Sequence, residues 1–262
     1  AAAIGNSFSA ELGGSANVTS YQWGNRDVSA SMYLDASDTL GSIEATTAAI
    51  GNSASISIDA FEGDGGASRV SNTQIVSGAF HSNMTFDGSD ISGVDDVAIS
   101  ATSASIANSL NVNARGDVNA NNFQRFWGDS RSVLNAGFED VAGSVEFTSA
   151  ALGNSASFDV EEAGSVQINN TQYTNYDPQA FSNIEVGRLE GDFTSTTAAI
   201  SNSLSVSTLP ATASLAVNNR QMNRAYTGAT ANIHLGDVVG SASVTAAAIA
   251  NSASISNLPD GF

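Results

Sequence analysis

Asparagine occupies the same short apolar frame six times in this 262-residue chain. The frame reads Ala-Ala-Ile-Gly-Asn-Ser at its first two occurrences, and later copies vary by one or two residues. Its asparagines are Asn6, Asn52, Asn108, Asn154, Asn202 and Asn251, which are 46, 56, 46, 48 and 49 residues apart. A period of this length predicts a fold built from stacked copies of one unit. Such a chain is typical of a scaffold or a fibre.

A glutamine precedes each of the last five asparagines at a nearly fixed distance of 30, 34, 30, 30 and 30 residues. These glutamines are Gln22, Gln74, Gln124, Gln172 and Gln221. Length variation falls between each asparagine and the next glutamine, which is typical of loops. We therefore divide the chain into an N-terminal half-repeat, residues 1–12, and five repeats, residues 13–58, 59–114, 115–160, 161–208 and 209–262.

The asparagine segment alternates between apolar and small polar residues, which is the period of a β-strand. In residues 48–58 the set predicted to face inward is Ala48, Ile50, Asn52, Ala54, Ile56 and Ile58. A buried amide without partners is costly, so we expect the inward asparagines to stack on one another as a ladder of hydrogen bonds. The glutamine segments predict a second ladder in the same way.

Two further segments complete each repeat. A third alternating run, such as Met32 and Leu34, precedes an acidic turn that ends in glycine, as at Asp38 to Gly41. A short run beginning at Ile43 then leads into the next asparagine strand. We predict about four short strands per repeat and no helix.

These patterns predict an all-β fold, a repetitive β-solenoid with inward Asn and Gln ladders. A repeat could form one wide coil or two coils of about 23 residues each. The alternatives are a five-bladed β-propeller-like ring and a pair of β-sandwiches, but neither requires the same inward amide at the same place in each copy.

The segments Gln22-Trp-Gly24 and Gly51-Asn-Ser-Ala-Ser-Ile56 resemble curlin repeats, in which Gln-x-Gly and Asn-x-Ala lie on stacked strands. The resemblance implies an extracellular bacterial amyloid fibre built from a strand-turn-strand solenoid. The chain departs from that family in the 30-residue spacing of its markers and in having one Gln-x-Gly. Other repetitive bacterial surface-fibre and holdfast-type proteins would fit these motifs equally well.

Charge limits the partners of the chain. The formal net charge is −18, with no lysine and eight arginines. Such a surface repels nucleic acid and anionic lipid, and no run is long enough to span a membrane. The chain contains no cysteine and opens within a motif, like the trimmed end of a secreted precursor. We expect a secreted protein, extracellular or at the cell surface.

No residue pattern indicates catalysis, and we predict no enzyme activity and no cofactor. His81 and His234 are predicted as exposed strand residues, and Trp23 and Trp127 as local packing or subunit contacts. Calcium is the one candidate ligand, because acidic turns carry oxygen donors. Its candidate residues are Asp64, Asp87, Asp90, Asp95 and Asp96.

The repeat architecture predicts a structural subunit of an extracellular bacterial surface filament that polymerises head to tail by strand stacking and supports adhesion or a biofilm matrix. The predicted partners are further copies of the chain, with a surface polysaccharide or an anchor protein as additional candidates. A monomeric solenoid adhesin or stalk segment is the alternative, followed by a carbohydrate-active enzyme on a solenoid scaffold. The predicted polymer contacts are Ile4, Asn6, Phe8, Ile249, Asn251 and Ile255.

Overall fold

The computed structural model describes residues 1–39, 41–60, 67–209 and 214–257, with residues 93–98 described by their backbone alone. Within these ranges the chain forms fifteen strands and no helix. The strands are β1 (Ala2–Gly13), β2 (Asn17–Gly24), β3 (Val28–Ser37), β4 (Ile43–Asp59), β5 (Ser68–Val76), β6 (Phe80–Ser89), β7 (Ile91–Arg115), β8 (Val118–Phe126), β9 (Ser130–Glu161), β10 (Ser165–Thr174), β11 (Pro178–Glu190), β12 (Phe193–Leu209), β13 (Ser214–Asn223), β14 (Gly228–Val239) and β15 (Ala242–Asn257).

The strands stack in three columns, and every strand pair is parallel. The asparagine column contains β1, β4, β7, the second half of β9, β12 and β15. The glutamine column contains β2, β5, β8, β10 and β13. The third column contains β3, β6, the first half of β9, β11 and β14.

Each strand pairs with the equivalent strand of the neighbouring repeat, so one repeat makes one coil of a parallel β-solenoid. For example, Asn52 pairs with Asn108, and Gln74 pairs with Gln124. The all-β solenoid prediction is confirmed, and parallel pairing between repeats excludes the propeller and sandwich alternatives, which are antiparallel. We call one strand level of a column a rung.

The coil has three strands, whereas the sequence predicted about four. The short run at Ile43 continues without interruption into the asparagine segment and forms the single strand β4. In the third repeat, the third strand, the turn and the asparagine strand form the single element β9. The prediction of a separate fourth strand is therefore wrong.

The asparagine strand bends in its middle, which reverses part of the predicted inward set. Ala49, Gly51, Asn52 and Ala54 are buried, whereas Ile50 lies half-buried on the outer face. Two consecutive buried residues shift the alternation by one, so strict period-two reading fails N-terminal to Asn52. The outward apolar column consists of Ile4, Ile50, Ile106, Leu152, Ile200 and Ile249.

On either side of the bend lies one of the two large apolar cores of the described residues, and two small clusters lie apart from them. The second half of the asparagine strand and the glutamine strand share one core, which includes Ile56 and Val112 from the former and Val70 from the latter. The first half packs against the third strand, where Phe86, Phe138 and Phe147 form the centre of the other core. Phe86 and Phe138 meet edge to face, with ring centroids 4.9 Å apart.

Candidate functional site: amide ladders and open ends

The asparagines form one continuous ladder through the molecule. Each Nδ2 donates to the Oδ1 of the asparagine on the following rung, at 2.7 to 3.0 Å, from Asn6 through to Asn251. The same Nδ2 groups donate to backbone carbonyls of the glutamine strand, for example from Asn108 to Arg125 at 3.1 Å. The ladder therefore joins rungs along the stack and joins two columns within each rung.

The glutamines form a second ladder with the opposite direction. Each Nε2 donates to the Oε1 of the glutamine on the preceding rung, at 2.7 to 2.8 Å, from Gln221 back to Gln22. Each Nε2 also donates to a backbone carbonyl of the asparagine strand, such as that of Ser155 from Gln124 at 2.7 Å. The middle members of both ladders are fully buried, so their amides depend on one another for partners.

A third ladder, of Asn72, Asn122, Asn170 and Asn219, runs in the asparagine direction at 2.7 to 2.9 Å. It is incomplete at the first rung, where Ser20 pairs in register with Asn72. Ser20 Oγ and Asn72 Oδ1 are buried and make no hydrogen bond. The presence of serine where the other rungs have asparagine therefore leaves these two polar groups without partners.

The two ends of the stack expose apolar side chains that the middle rungs cover. Ile4 is 53% exposed at the first rung, and Ile249 and Ile255 are 37% and 50% exposed at the last. Asn6 and Phe8 are half-buried and Asn251 is exposed, whereas Asn108 and Asn154 have no exposed area. The six predicted polymer contacts thus lie on the two end surfaces, although Ile4 and Ile249 point outward from the column.

The outer face of the glutamine column differs in composition from the rest of the surface. The residues of β2, β5, β8, β10 and β13 include no Asp or Glu, in a chain with 26 acidic residues. Tyr21 and Trp23 are 68% and 60% exposed on this face. The guanidinium carbon of Arg125 lies 3.4 Å from the ring centre of Trp127 at the edge of the same face. Aromatic and arginine side chains without acidic neighbours are typical of interfaces.

Acidic residues lie at the corners of the coil, which are the turns between its strands, and there they accept hydrogen bonds from the neighbouring repeat. Asp117 Oδ1 accepts the backbone N–H groups of Gly164 and Ser165, each at 2.8 Å. Asp192 Oδ1 accepts the backbone N–H and the hydroxyl of Ser241, which lowers the pKa of Asp192. The bonds to Asp192 stabilise the fold above the pKa of the unfolded carboxyl, and this stability is lost as the pH falls through the lowered value.

Arginine contributes at one corner as well. Arg115 contacts Glu162 through Nη2 at 2.6 Å and through Nε at 2.8 Å, and this pairing raises the pKa of Arg115. The side chains are substantially exposed, so the pair adds little to stability.

Two of the five calcium candidates, Asp87 and Asp90, have side chains that the structure describes. Asp64 and the side chains of Asp95 and Asp96 lie outside the described residues. Asp87 is on the outer face of β6, and Asp90 is in the following turn with a φ of 52°. Among the described residues, no group of three or more His, Asp or Glu side chains is arranged to hold a metal ion.

The two histidines are both exposed in the third column, on β6 and on β14, which are three rungs apart. His81 pairs in register with Arg131, and His234 pairs with Glu185. The structure therefore does not bring them together.

Sequence reasoning missed a network of buried hydroxyl groups between the two cores. The hydroxyl of Ser103 contacts those of Ser82 and Ser132 at 2.9 and 3.0 Å, and the hydroxyls of Ser105 and Ser130 are 2.9 Å apart. Serine is so frequent in this chain that its inward positions give no distinct signal. The recurrence of serine in the same place of the third strand, as at Ser82 and Ser182, was the available clue.

The family model for holdfast attachment protein D matches residues 1–261. The chain belongs to this family. Membership of the holdfast attachment protein D family makes it part of a bacterial adhesion-related group and indicates a cell-surface or extracellular location. A search of curated proteins and a search of solved structures gave no match. The curlin motifs stay a resemblance in the ladder residues.

No helix suited by length and apolarity to crossing a membrane occurs in the part of the chain that the structure describes.

Proposed function

We propose that this holdfast attachment family member is a structural, non-catalytic subunit of an extracellular filament. Copies join head to tail by strand stacking at the bacterial surface, and the filament supports adhesion or a biofilm matrix. The observation that carries the proposal is the opposite direction of the asparagine and glutamine ladders. Together the ladders leave complementary hydrogen-bonding groups at the two ends of the stack.

At the last rung, Asn251 receives a hydrogen bond from Asn202 but donates none to another rung within the described residues. Gln221 at the same end donates to Gln172, and its own Oε1 is left as an acceptor within the described residues. At the first rung, Asn6 donates to Asn52 and its Oδ1 is left as an acceptor. Gln22 donates one N–H to the carbonyl of Ser53 and has a second N–H left as a donor. In each column, therefore, the group left over at the last rung is complementary to the group left over at the first rung.

Contact between two like ends lacks this match. Two first rungs would oppose the acceptors of Asn6, and two last rungs would oppose the donors of Asn251. Buried amides without partners are costly, so the ladders favour one orientation only. A contact between unlike ends repeats without closing and produces a filament.

The test is Asn251→Asp in the full chain. The carboxylate still accepts the bond from Asn202, so the subunit folds, but it presents charge and acceptors where the next copy requires a donor. We expect filament yield in sedimentation and electron microscopy to fall at least tenfold, with the melting temperature close to the parent's. Ser254→Asp, on the outer face of the same strand, is the control for charge and retains assembly.

Filaments of Asn251→Asp at the parent's yield contradict the proposed contact. A parent protein that stays monomeric at high concentration, in low and high salt, contradicts the filament itself.

The second candidate function is a monomeric adhesin or stalk segment, which the acid-free outer face of the glutamine column favours. Tyr21 and Trp23 are exposed on the face that also carries Arg69 and Arg125, as expected for contact with a surface polysaccharide or an anchor protein. If this function holds, Trp23→Ala and Tyr21→Ala abolish surface attachment by a monomeric protein. Thr73→Ala, on the neighbouring rung of the same face, leaves attachment unchanged.

A further inference from the structure

The outer face of the glutamine column collects arginine and excludes acidic residues. Its five strands contain three of the eight arginines, Arg69, Arg125 and Arg220, and none of the 26 acidic residues. Because the inward positions of these strands hold the amide ladders, the three arginines lie on the outer face, where they are half-buried or exposed. A chain with a net charge of −18 thus has one face on which an anionic ligand meets no carboxylate of the sheet.

Two of these arginines flank an aromatic ring at the centre of the face. Tyr173 pairs in register with Arg125 on the preceding rung, and the guanidinium carbon of Arg220, on the following rung, lies 5.7 Å from the centre of the Tyr173 ring. Phe123 adds a second ring, whose centroid is 5.9 Å from that of Tyr173. We call Phe123, Arg125, Tyr173 and Arg220 the arginine–aromatic patch.

The guanidinium groups of the patch are held by rings and not by carboxylates. That of Arg125 lies 3.4 Å from the ring centre of Trp127. Within the described residues, neither Arg125 nor Arg220 forms a salt bridge. A guanidinium packed on a ring keeps its N–H groups available, and it can hold a carboxylate through two parallel hydrogen bonds. The patch therefore suits a ligand that carries carboxylates.

A row of amides runs beside the patch on the same face. Asn169 donates to Asn121 at 3.0 Å, and Asn218 donates to Asn169 at 3.1 Å. An amide has two N–H groups and two acceptor lone pairs, so Asn169 keeps one of each for a ligand. The row lies two residues before Phe123 and Arg220 on their strands, about 6.6 Å away. Hydroxyl groups, which both donate and accept, match such a row.

We propose that the arginine–aromatic patch and the amide row bind an acidic polysaccharide whose chain lies along the stack. Successive rungs are about 4.8 Å apart, which is comparable with the length of one sugar residue in an extended chain. The sugars then place hydroxyls over the amide row, apolar ring faces over the aromatic side chains and carboxylates beside the arginines. This inference rests on the second candidate function, attachment through the face of the glutamine column, and specifies its ligand.

The negative charge of the whole molecule does not prevent this binding. At physiological ionic strength, exposed charges more than about 8 Å apart are largely screened, so arginines in contact with the ligand outweigh acids at distant corners. The acidic residues that follow β8 and β10, Asp129 and Asp177, lie in the turns. Oδ1 of Asp177 already accepts the backbone N–H of Tyr226 at 2.8 Å.

Binding of the full chain to defined polymers tests the class of ligand. Polygalacturonate and alginate are polymers of sugar acids, and their neutral esters keep the backbone without the charge. Polyglutamate keeps the charge without the sugar. At physiological ionic strength we expect calorimetry to show binding of at least one of the two sugar-acid polymers. We expect its neutral ester to bind at least tenfold more weakly, and polyglutamate not to bind.

Variants that copy a neighbouring rung test the patch and keep the strand intact. Arg125→Ile introduces the side chain that Ile75 has at the paired position, and Arg220→Thr introduces that of Thr171. We expect the double variant to bind the sugar-acid polymer at least tenfold more weakly than the parent, with an unchanged melting temperature.

Arg131→Gln is the matched control, because it removes the same charge from the third column by copying the paired Gln179. It should leave binding unchanged. The inference is overturned if neither sugar-acid polymer binds, if the double variant binds as tightly as the parent, or if polyglutamate or the neutral esters bind as tightly as the acids. A parent protein that binds neither polymer and dimerises in sedimentation, while the double variant is monomeric, would assign the face to a second copy.

The attachment function has a separate readout, so the two failures can be told apart. If Trp23→Ala and Tyr21→Ala abolish surface attachment while no sugar-acid polymer binds, the second candidate function stands and the ligand is wrong. If a sugar-acid polymer binds through the patch but the parent protein does not attach to the surface, the ligand stands and the second candidate function fails.

Discussion

At the scale of single residues, the fold depends on buried amides that have only one another as partners. Asn108 donates to Asn154 at 2.8 Å and to the carbonyl of Arg125 at 3.1 Å, with no exposed area. An apolar side chain of similar size would remove these bonds and leave groups on the neighbouring rungs unpaired. Ladder positions are therefore among the least replaceable in the chain.

Replacing Asn108 or Asn154 with Leu should lower the free energy of unfolding by about 1–3 kcal/mol for each group left without a partner. Asn→Asp at the same positions should cost more, because it places a charge among buried neutral amides. Denaturant unfolding measures the loss of stability in the Leu and Asp variants, with Ser109→Ala, on the outer face of the same strand, as the control. Equal unfolding midpoints for the ladder variants and the parent would contradict the role of the ladder.

Ser20→Asn should stabilise the protein, because it completes the interrupted ladder. The new amide can donate to Asn72 Oδ1, which is buried without a partner, in the direction of the existing bonds. The expected gain is about 1 kcal/mol, read from the unfolding midpoint. Ser20→Val, which adds volume but no donor, is the matched control. A gain as large from valine would assign the effect to packing.

The ladder positions could be predicted from sequence, because an inward amide recurring at a fixed period requires an identical neighbour. The direction of donation could not, since an amide carries donor and acceptor on the same side chain. The alternation failed at Ile50, which it places inward but which lies half-buried on the outer face, because alternation alone cannot indicate a bend. The same alternation places Gly51 outward, although this residue is buried.

At the scale of the strand, the bend at Gly51 allows one strand to serve two cores. A Cβ at this position would lie 2.5 Å from the carbonyl oxygen of Ala107 and 2.7 Å from Cε1 of Phe80. The position therefore admits little more than a hydrogen atom. The bend in turn places Asn52 beside the glutamine strand.

Gly51→Ala should destabilise the protein by about 1–3 kcal/mol through overpacking. Gly13→Ala is the control, since no atom lies within 4 Å of a Cβ built there. Thermal or denaturant unfolding of the two variants decides the question. Equal stability would show that the bend relaxes to accept a side chain.

The number and length of strands were only partly predictable, because the turns between them are short and lie in register with the ladder. The run at Ile43 has its own alternation and reads as a separate strand, yet its backbone continues into β4. The coil count per repeat could not be obtained from the period. Pairing between equivalent residues of adjacent repeats settled it at one coil.

At the scale of the whole molecule, negative charge opposes assembly while the ladders favour it. The chain carries a net charge of −18, and the acid-free face of the glutamine column confines the acidic residues to other surfaces and corners. Stacked copies bring those corners close together. Repulsion of this kind weakens as ions screen it.

We therefore expect calcium, or simply higher ionic strength, to raise the melting temperature and the filament yield. Melting curves and sedimentation in low-salt buffer, with calcium, with matched sodium chloride and with chelator, provide the comparison. An effect of calcium beyond that of ionic strength would implicate the acidic turns, which include Asp87 and Asp90. Identical melting temperature and yield in all four conditions would contradict the repulsion argument.

Helical reconstruction of the filament by electron cryomicroscopy tests the central claim, that copies join by continuing the same strand columns. The account predicts a layer line near 4.8 Å that is unbroken across subunit boundaries. Filaments without the 4.8 Å repeat across the joint, or subunits in contact only through their outer faces, would contradict the account.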